Sequence, residues 1–159
     1  MNTQPRIAIL FVCLGNICRS PLAEGVFRNV IEKRGIASHF TIDSAGTDAW
    51  HQGSAPDPRS IEVAARHGID ISGQRARQVT EADFARFDLI LAMDRANLRD
   101  LQMRSPEGSP AVVALLTEFA ESRGMDVPDP YYGGADGFER VYRMIRIASE
   151  ALAGRLVDA

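Results

Sequence analysis

The sequence predicts an α/β fold: a three-layer α/β/α arrangement around a four-stranded parallel sheet, in one domain spanning residues 1–159. Three observations predict it. Four short apolar runs, at 6–13, 40–45, 87–92 and 111–116, read as strands. Helical or helix-containing segments separate them, so the connections are crossovers and the strands run parallel. The first run, Ile7 to Cys13, is nearly continuously apolar, as a strand covered on both faces must be. A chain of 159 residues is the size of one domain and long enough to bury a core.

Composition narrows the function classes. A formal net charge of −3 gives no global basic surface for nucleic acid. No stretch is long and apolar enough to span a membrane, so no membrane partner is expected. Arg6 followed by an apolar run resembles the start of a secretory signal. Asn16 and Arg19 follow at once, however, and no small-residue cleavage site appears. The two cysteines, Cys13 and Cys18, lie five residues apart in one loop. That spacing makes a poor structural staple and fits a reducing cytoplasm.

Each element has its own signal. After the strand ending at Cys13, Ser20-Pro21 marks a helix start, with Glu24 as an acid in its first turn. Apolar residues at 22, 23, 26, 27, 30 and 31 follow the helical period, and Gly35 ends the helix. Phe40 to Ala45 is the second strand, and the Gly-, Pro-, Asp- and His-rich stretch 46–58 is a loop. Asp57 caps a helix that opens with Pro58 and closes at Gly68. Gln74-Arg75-Ala76-Arg77 falls in the next loop, its charges forming a solvated edge, and Glu81 to Ala85 forms a helical turn. After the third strand, Asp94 caps a helix reaching about Met103. Residues 104–110 form a loop before the fourth strand, and 126–137 another. The last helix runs from about Gly137 to Val157, with Phe138, Val141, Tyr142, Ile145, Ala148, Leu152 and Leu156 on its core face.

The junction between first strand and first helix carries the chemistry. Backbone N–H groups of a tight loop, followed by a helix N-terminus, converge on one point and bind a phosphate-like anion. Arg19 adds a planar fork of donors matched to two phosphate oxygens. A cysteine at the position of Cys13 sits in that positive field, which favours its thiolate, and a thiolate can attack phosphorus. Gly15 allows close backbone approach, and Asn16 tolerates the left-handed conformation such loops need. Cys-x5-Arg alone is a weak pattern, and a buried free cysteine is the plainer reading of it. Its place between a strand and a helix start reverses that preference. Neither G-x-x-x-x-G-K-[ST] nor G-x-G-x-x-G occurs.

Val12-Cys13-Leu14-Gly15-Asn16-Ile17-Cys18-Arg19-Ser20-Pro21-Leu22-Ala23-Glu24 resembles the signature loop of the low-molecular-weight protein-tyrosine phosphatases. The likeness continues through Asp43-Ser44-Ala45-Gly46-Thr47, Trp50, Pro56-Asp57-Pro58-Arg59, Ala92 to Leu98 and Asp129-Pro130-Tyr131-Tyr132. It implies a metal-independent phosphomonoesterase needing no cofactor. A phosphotyrosine-containing protein is then the partner, with tyrosine kinases among the candidates. Cys13 becomes the nucleophile. Arg19 and the loop from Leu14 through Gly15, Asn16, Ile17, Cys18 and Arg19 to Ser20 hold the phosphate, and Asp129 is the general acid. Ile17, Trp50, Tyr131 and Tyr132 line the substrate cleft.

The same resemblance makes Ser44, Gln74 and Asp94 supports of the active-site surroundings. Many relatives carry His where Gln74 stands, supporting the residues equivalent to Asn16 and Ser44; Gln can still donate and accept hydrogen bonds. Cys18 is either a small buried filler or a redox partner of Cys13. Ser20 is a helix cap, a donor to the Cys13 thiolate, or both. Trp50 is a packing anchor or a cleft wall. Asp129, alone before a proline, would be a turn-former. The three histidines, at 39, 51 and 67, lack metal-ligand spacing and read as surface or loop residues. Two enzyme rivals share the fold. Arsenate reductases of this type need further cysteines downstream, and none follows Cys18. Protein-arginine phosphatases usually carry Thr where Ile17 stands and lack the paired tyrosines. A rival of another class is a catalytically idle phosphotyrosine-binding module.

Overall fold

The computed structural model describes residues 6–157; the outermost residues of the expected 1–159 domain lie outside this range. Strand β1 (Ile7–Cys13) leads into helix α1 (Arg19–Lys33), and a 3₁₀ turn at Ala37–His39 leads into β2 (Phe40–Gly46). There follow α2 (Pro58–Arg66), the short α3 (Asp83–Arg86), β3 (Leu89–Ala92), α4 (Arg95–Arg104), β4 (Val112–Leu115), α5 (Leu116–Glu121) and α6 (Ala135–Leu156). The sheet order is β2-β1-β3-β4, with every pairing parallel. No helix among the described residues is long and apolar enough to cross a membrane.

β1 lies at the centre, and its alternation builds two cores. Ile9, Phe11 and Cys13 face a cluster formed with α1, α2, α5 and α6. Leu10 and Val12 face a second cluster with Phe84 of α3, Ile90 of β3 and Leu101 of α4. The predicted three layers are therefore present. In a parallel sheet of this kind ligand sites form outside the carboxyl ends of the strands. Cys13 is the last residue of β1 and pairs there with Gly46.

Several local expectations need correction. Helix α1 begins at Arg19, with Cys18 in the cap position and no side-chain cap. Pro21 thus sits third in the helix, and the Ser20 hydroxyl is turned inward rather than onto the helix end. Glu24 is buried beyond the first turn. Strands β3 and β4 are shorter than their apolar runs, and α6 starts two residues before Gly137. Helix α5 follows β4 without an intervening loop, in a stretch for which the sequence reading made no assignment.

Arg77 is the largest revision. It is no solvated edge: its guanidinium bonds Asp83 at 2.9 and 3.0 Å and Asp43 at 3.2 Å, tying the 74–80 loop to α3 and β2. Its charge stays above the ordinary arginine range, because these carboxylates outweigh the burial that opposes it. Asp83, only 1% exposed, is held below the ordinary carboxylate range: its own burial works the other way, but Arg77 and the Thr80 N–H overcome it.

Gly46 marks where sheet and loop meet. Its N–H donates to the Arg77 carbonyl at 2.8 Å and its own carbonyl accepts from Val79 at 2.8 Å. A Cβ there would stand 2.7 Å from the Leu14 carbonyl oxygen and 3.0 Å from the Gly15 carbonyl carbon. Both are backbone atoms of the loop, which cannot rotate away. Gly46→Ala is therefore expected to lower stability by about 1–3 kcal/mol in urea denaturation, as overpacked sites do, and to weaken anion binding with it. Wild-type stability together with wild-type phosphate affinity would show that the loop backbone has room to move.

Candidate active site

The loop between β1 and α1 is shaped from outside. The carbonyls of Cys13 and Leu14 accept N–H bonds from Thr47 and Asp48 at 2.9 Å. That of Ile17 accepts from Asp57 at 2.8 Å, and that of Cys18 from the Ser60 hydroxyl at 3.0 Å. No cis peptide occurs among the described residues, so in each unit the N–H lies opposite its carbonyl. The N–H groups of Leu14, Gly15, Cys18 and Arg19 consequently turn away from these outer partners.

Asn16 makes the turn possible. Its φ of 58° is in the left-handed region, which Asn tolerates. Its side chain is fixed at three points: Oδ1 accepts from the Arg77 N–H at 3.0 Å, while Nδ2 donates to Ser20 Oγ at 2.7 Å and to Ser44 Oγ at 3.0 Å. With both serine oxygens already accepting from Asn16, each hydroxyl proton is free to point elsewhere. Ser44 donates to Glu24 at 2.9 Å. Ser20 Oγ stands 3.0 Å from Cys13 Sγ and 3.3 Å from the Ala45 carbonyl oxygen, so its proton can go to a thiolate at Cys13 or to that carbonyl. Gln74 plays a smaller part than the resemblance implies. It donates to the Pro21 carbonyl at 3.0 Å and reaches Ser44 only at 3.5 Å. Glu24 supplies the strong acceptor instead, its carboxyl pushed above the usual range by burial, against the pull of the Ser44 hydroxyl and of Arg28.

Arg19 is 2% exposed. Its Nη1 donates to Asp94 Oδ2 at 2.6 Å and to the Val127 carbonyl at 3.0 Å, and its Nη2 lies 3.7 Å from Asp129 Oδ2. Burial works against its charge, but Cys13 and Asp94 outweigh that and hold the guanidinium above its ordinary range. Asp94 bonds in two directions: Oδ1 caps α4 by accepting the Asn97 N–H at 2.8 Å, and Oδ2 holds Arg19. Asp129 is also both turn-former and projecting carboxyl. Its Oδ1 accepts the Tyr131 N–H at 3.0 Å, and its other oxygen faces Arg19. Asp126, the other acid of this loop, is held by Arg95 at 3.1 and 3.2 Å.

These groups enclose one cavity of about 150 Å³, the size that admits a benzene-like ring. Cys13, Arg19 and Asp129 line it together with Leu14, Gly15, Ile17 and Cys18. Trp50, Tyr131 and Tyr132 form its rim, with Tyr131 and Tyr132 edge to face at 4.9 Å. Trp50 is 77% exposed and is no packing anchor. His51 also lines the cavity, its ring lying against the loop at Gly15. Sequence reasoning placed it as an ordinary loop residue, and its only signal was adjacency to Trp50. His67 has a structural role, stacked on Tyr142 at 3.7 Å and 2.9 Å from Glu139. Cys18 is buried and its thiol is pushed up to about 12, by burial first and then by Asp57, so it stays protonated at neutral pH. No cluster of three or more His, Cys, Asp or Glu suited to a metal ion exists among the described residues.

The arrangement brings a thiol, a fixed guanidinium, a carboxyl and loop amides turned from their outer partners to one aromatic-rimmed cleft. Comparison with known proteins gives it a family. The family model described as low molecular weight phosphotyrosine protein phosphatase matches residues 8–159. A protein of that name from Schizosaccharomyces pombe is 54% identical over 86% of this chain and 88% of its own. A crystal structure of a protein tyrosine phosphatase from Entamoeba histolytica superposes with a TM-score of 0.88 at 39% identity, covering 94% of this chain and 96% of that one. A Drosophila arginine phosphatase has the same fold, with a TM-score of 0.86 at 32% identity over 95% and 99% of the two chains. This chain belongs to the low molecular weight phosphotyrosine protein phosphatase family.

Proposed function

We propose that this chain hydrolyses phosphotyrosine in phosphoproteins, and small aryl phosphates, through a cysteinyl-phosphate intermediate. It works as a single domain in the cytoplasm, where both cysteines stay reduced. Tyrosine kinases are among its candidate partners, since they carry phosphotyrosine themselves. The observation that carries the reading is the meeting of Cys13, Arg19 and Asp129 in one aromatic-rimmed cavity.

The Cys13 thiolate attacks phosphorus, and an S–P bond forms as the P–O bond to the tyrosine breaks. Asp129, in its acid form, gives its proton to the departing phenolate oxygen. The Arg19 guanidinium and the loop amides hold the equatorial oxygens as charge spreads over them, the largest contribution to such transfers. The Asp129 carboxylate then takes a proton from water, whose oxygen attacks phosphorus. The S–P bond breaks, and inorganic phosphate and the thiolate are released. Ser20, beside Cys13 Sγ, stabilises the thiolate at both ends of the cycle.

Ile17 and the rim favour an aryl phosphate. An apolar branched side chain offers a guanidinium no hydrogen bond, whereas Trp50, Tyr131 and Tyr132 present faces for an aromatic ring. The Drosophila arginine phosphatase shows that the fold alone does not choose between them. Phosphotyrosine peptides are thus expected to be cleaved well above phosphoserine and phosphoarginine peptides. Cys13→Ser should cleave none of them while still binding phosphate, as its cradle is backbone and Arg19. Equal efficiency on all three classes, or turnover by the serine variant, would contradict the assignment.

Asp129 should matter most when the leaving group is poor. Asp129→Ala is expected to slow phosphotyrosine hydrolysis by ~10²–10⁴-fold, the usual worth of general-acid help, and to slow a nitrophenyl ester less. Burst kinetics should show phospho-enzyme accumulating, since the same carboxylate activates water. If Asp126→Ala were crippled instead, the acid would be misassigned.

Cys18 is proposed as the redox partner of Cys13. Peroxide converts an accessible thiolate to sulfenic acid, which condenses with a neighbouring thiol to a disulfide and water. Cys18 stays protonated, which leaves Cys13 as the first target. Mild peroxide should therefore inactivate reversibly, with mass spectrometry detecting a Cys13–Cys18 bond. Cys13 over-oxidised beside a free Cys18 would exclude it.

A further inference from the structure

The segment 122–134 that carries Asp129 has no helix or strand of its own, and its hydrogen bonds to the rest of the fold lie upstream of the acid. Upstream of it, Thr117 Oγ1 holds the Met125 N–H at 3.1 Å and donates to the Met125 carbonyl. Three consecutive residues at the start of α4 then grip the loop. Met93 accepts the Val127 N–H at 2.8 Å, and Asp94 holds Arg19, which itself bonds the Val127 carbonyl. Arg95 makes the most contacts of the three. Its backbone N–H and its Nη1 both donate to Asp126 Oδ1, and its Nη2 donates to the Gly124 carbonyl. Downstream of Asp129 the hydrogen bonds are local, from the Tyr131 N–H to the Asp129 carboxyl and from the Gly133 N–H to the Pro130 carbonyl, and the contact with the rest of the fold is the Arg59 guanidinium over the Tyr131 ring at 5.4 Å.

We infer that Arg95 is a positioning residue for Asp129: by clamping Gly124 and Asp126 it fixes the upstream arm of the acid loop, and so the place of the Asp129 carboxyl beside the leaving oxygen. The inference rests on the reading of Asp129 as general acid. Two observations support a geometric role over a stabilising one. The side chains of Arg95 and Asp126 are 53% and 46% exposed, and an ion pair that open to water adds little to fold stability. Gly124 leaves the guanidinium just enough room, for a Cβ there would lie 3.0 Å from Arg95 Nη2 and 3.3 Å from Glu118 Oε2. The arginine tip is the mobile party, so a methyl at 124 moves the clamp rather than the backbone.

The experiment measures kcat/KM on a phosphotyrosine peptide and on nitrophenyl phosphate. It uses the wild type, Arg95→Ala, Gly124→Ala, Asp129→Ala and the Arg95→Ala/Asp129→Ala double variant, with Tm recorded for each. Arg95→Ala is expected to lose roughly threefold to tenfold on the peptide, less on the ester, with Tm nearly unchanged. Gly124→Ala should reproduce this pattern, and Arg95→Lys should restore part of the activity. In the double variant the Arg95 loss should vanish, because residues acting as a unit are not additive. Equal losses on both substrates, or losses that multiply in the double variant, would overturn the inference. If Asp129→Ala depends on leaving group but Arg95→Ala does not, the positioning role alone falls. If Asp129→Ala shows no such dependence, the general-acid reading falls and takes the clamp with it.

Discussion

The structure depends on keeping one arginine charged where water cannot reach it. A guanidinium 2% exposed is tolerable only if its donors are met by carboxylates and carbonyls. Arg19 finds those partners 75 and 108 residues away, in Asp94 and the Val127 carbonyl. Satisfying it fixes the start of α4, the path of the 122–134 loop and the orientation of the guanidinium at the cavity. Removal of Asp94 would strand a buried charge, a far larger penalty than loss of a surface pair. The site and the fold are in this sense held by one interaction.

A second constraint acts at the opposite side of the loop. Asn16 is held left-handed by the Arg77 backbone, whose own side chain is locked between Asp43 and Asp83. The amide orientation is therefore settled by the backbone N–H it must accept, and the hydroxyls of Ser20 and Ser44 are directed in turn. The family resemblance implies support from a histidine where Gln74 stands. Here the buried Glu24 carboxylate ends the chain of hydrogen bonds, and Gln74 mainly holds the carbonyl of Pro21 in α1. The departure at position 74 leaves the Asn16 anchoring intact.

Much of this was legible in the sequence. Alternating apolar and helical periods gave the layers, Cys13, Asn16 and Arg19 were singled out by residue type and local context, and the site roles of Asp94 and Asp129 came from the family resemblance. Local signals misled where a side chain served a distant partner. Ser20-Pro21 reads as a helix start, yet Ser20 faces Cys13 and the helix begins one residue earlier. Glu24 reads as a first-turn acid, yet it is buried against Ser44. Arg77 looks like an exposed loop charge because its partners lie 6 and 34 residues off and carry no pattern that links them. His51 has no periodicity or spacing to announce it, and only the folding of its loop over Gly15 brings it to the cavity.

The central place of β1 has a kinetic consequence. It is the first strand along the chain, and its two neighbours are β2 on one side and β3, some 80 residues further on, on the other. A parallel sheet admits no hairpin shortcut, so every pairing waits for a crossover to close. Until β3 docks, an edge rich in Ile, Leu, Phe and Val is open to any other strand, the kind of edge through which chains associate wrongly. The strand that ends in Cys13 is thus also the one whose second neighbour lies furthest along the chain. The arginine pocket needs closures just as long, since Arg19 meets Asp94 and the Val127 carbonyl 75 and 108 residues further along the chain.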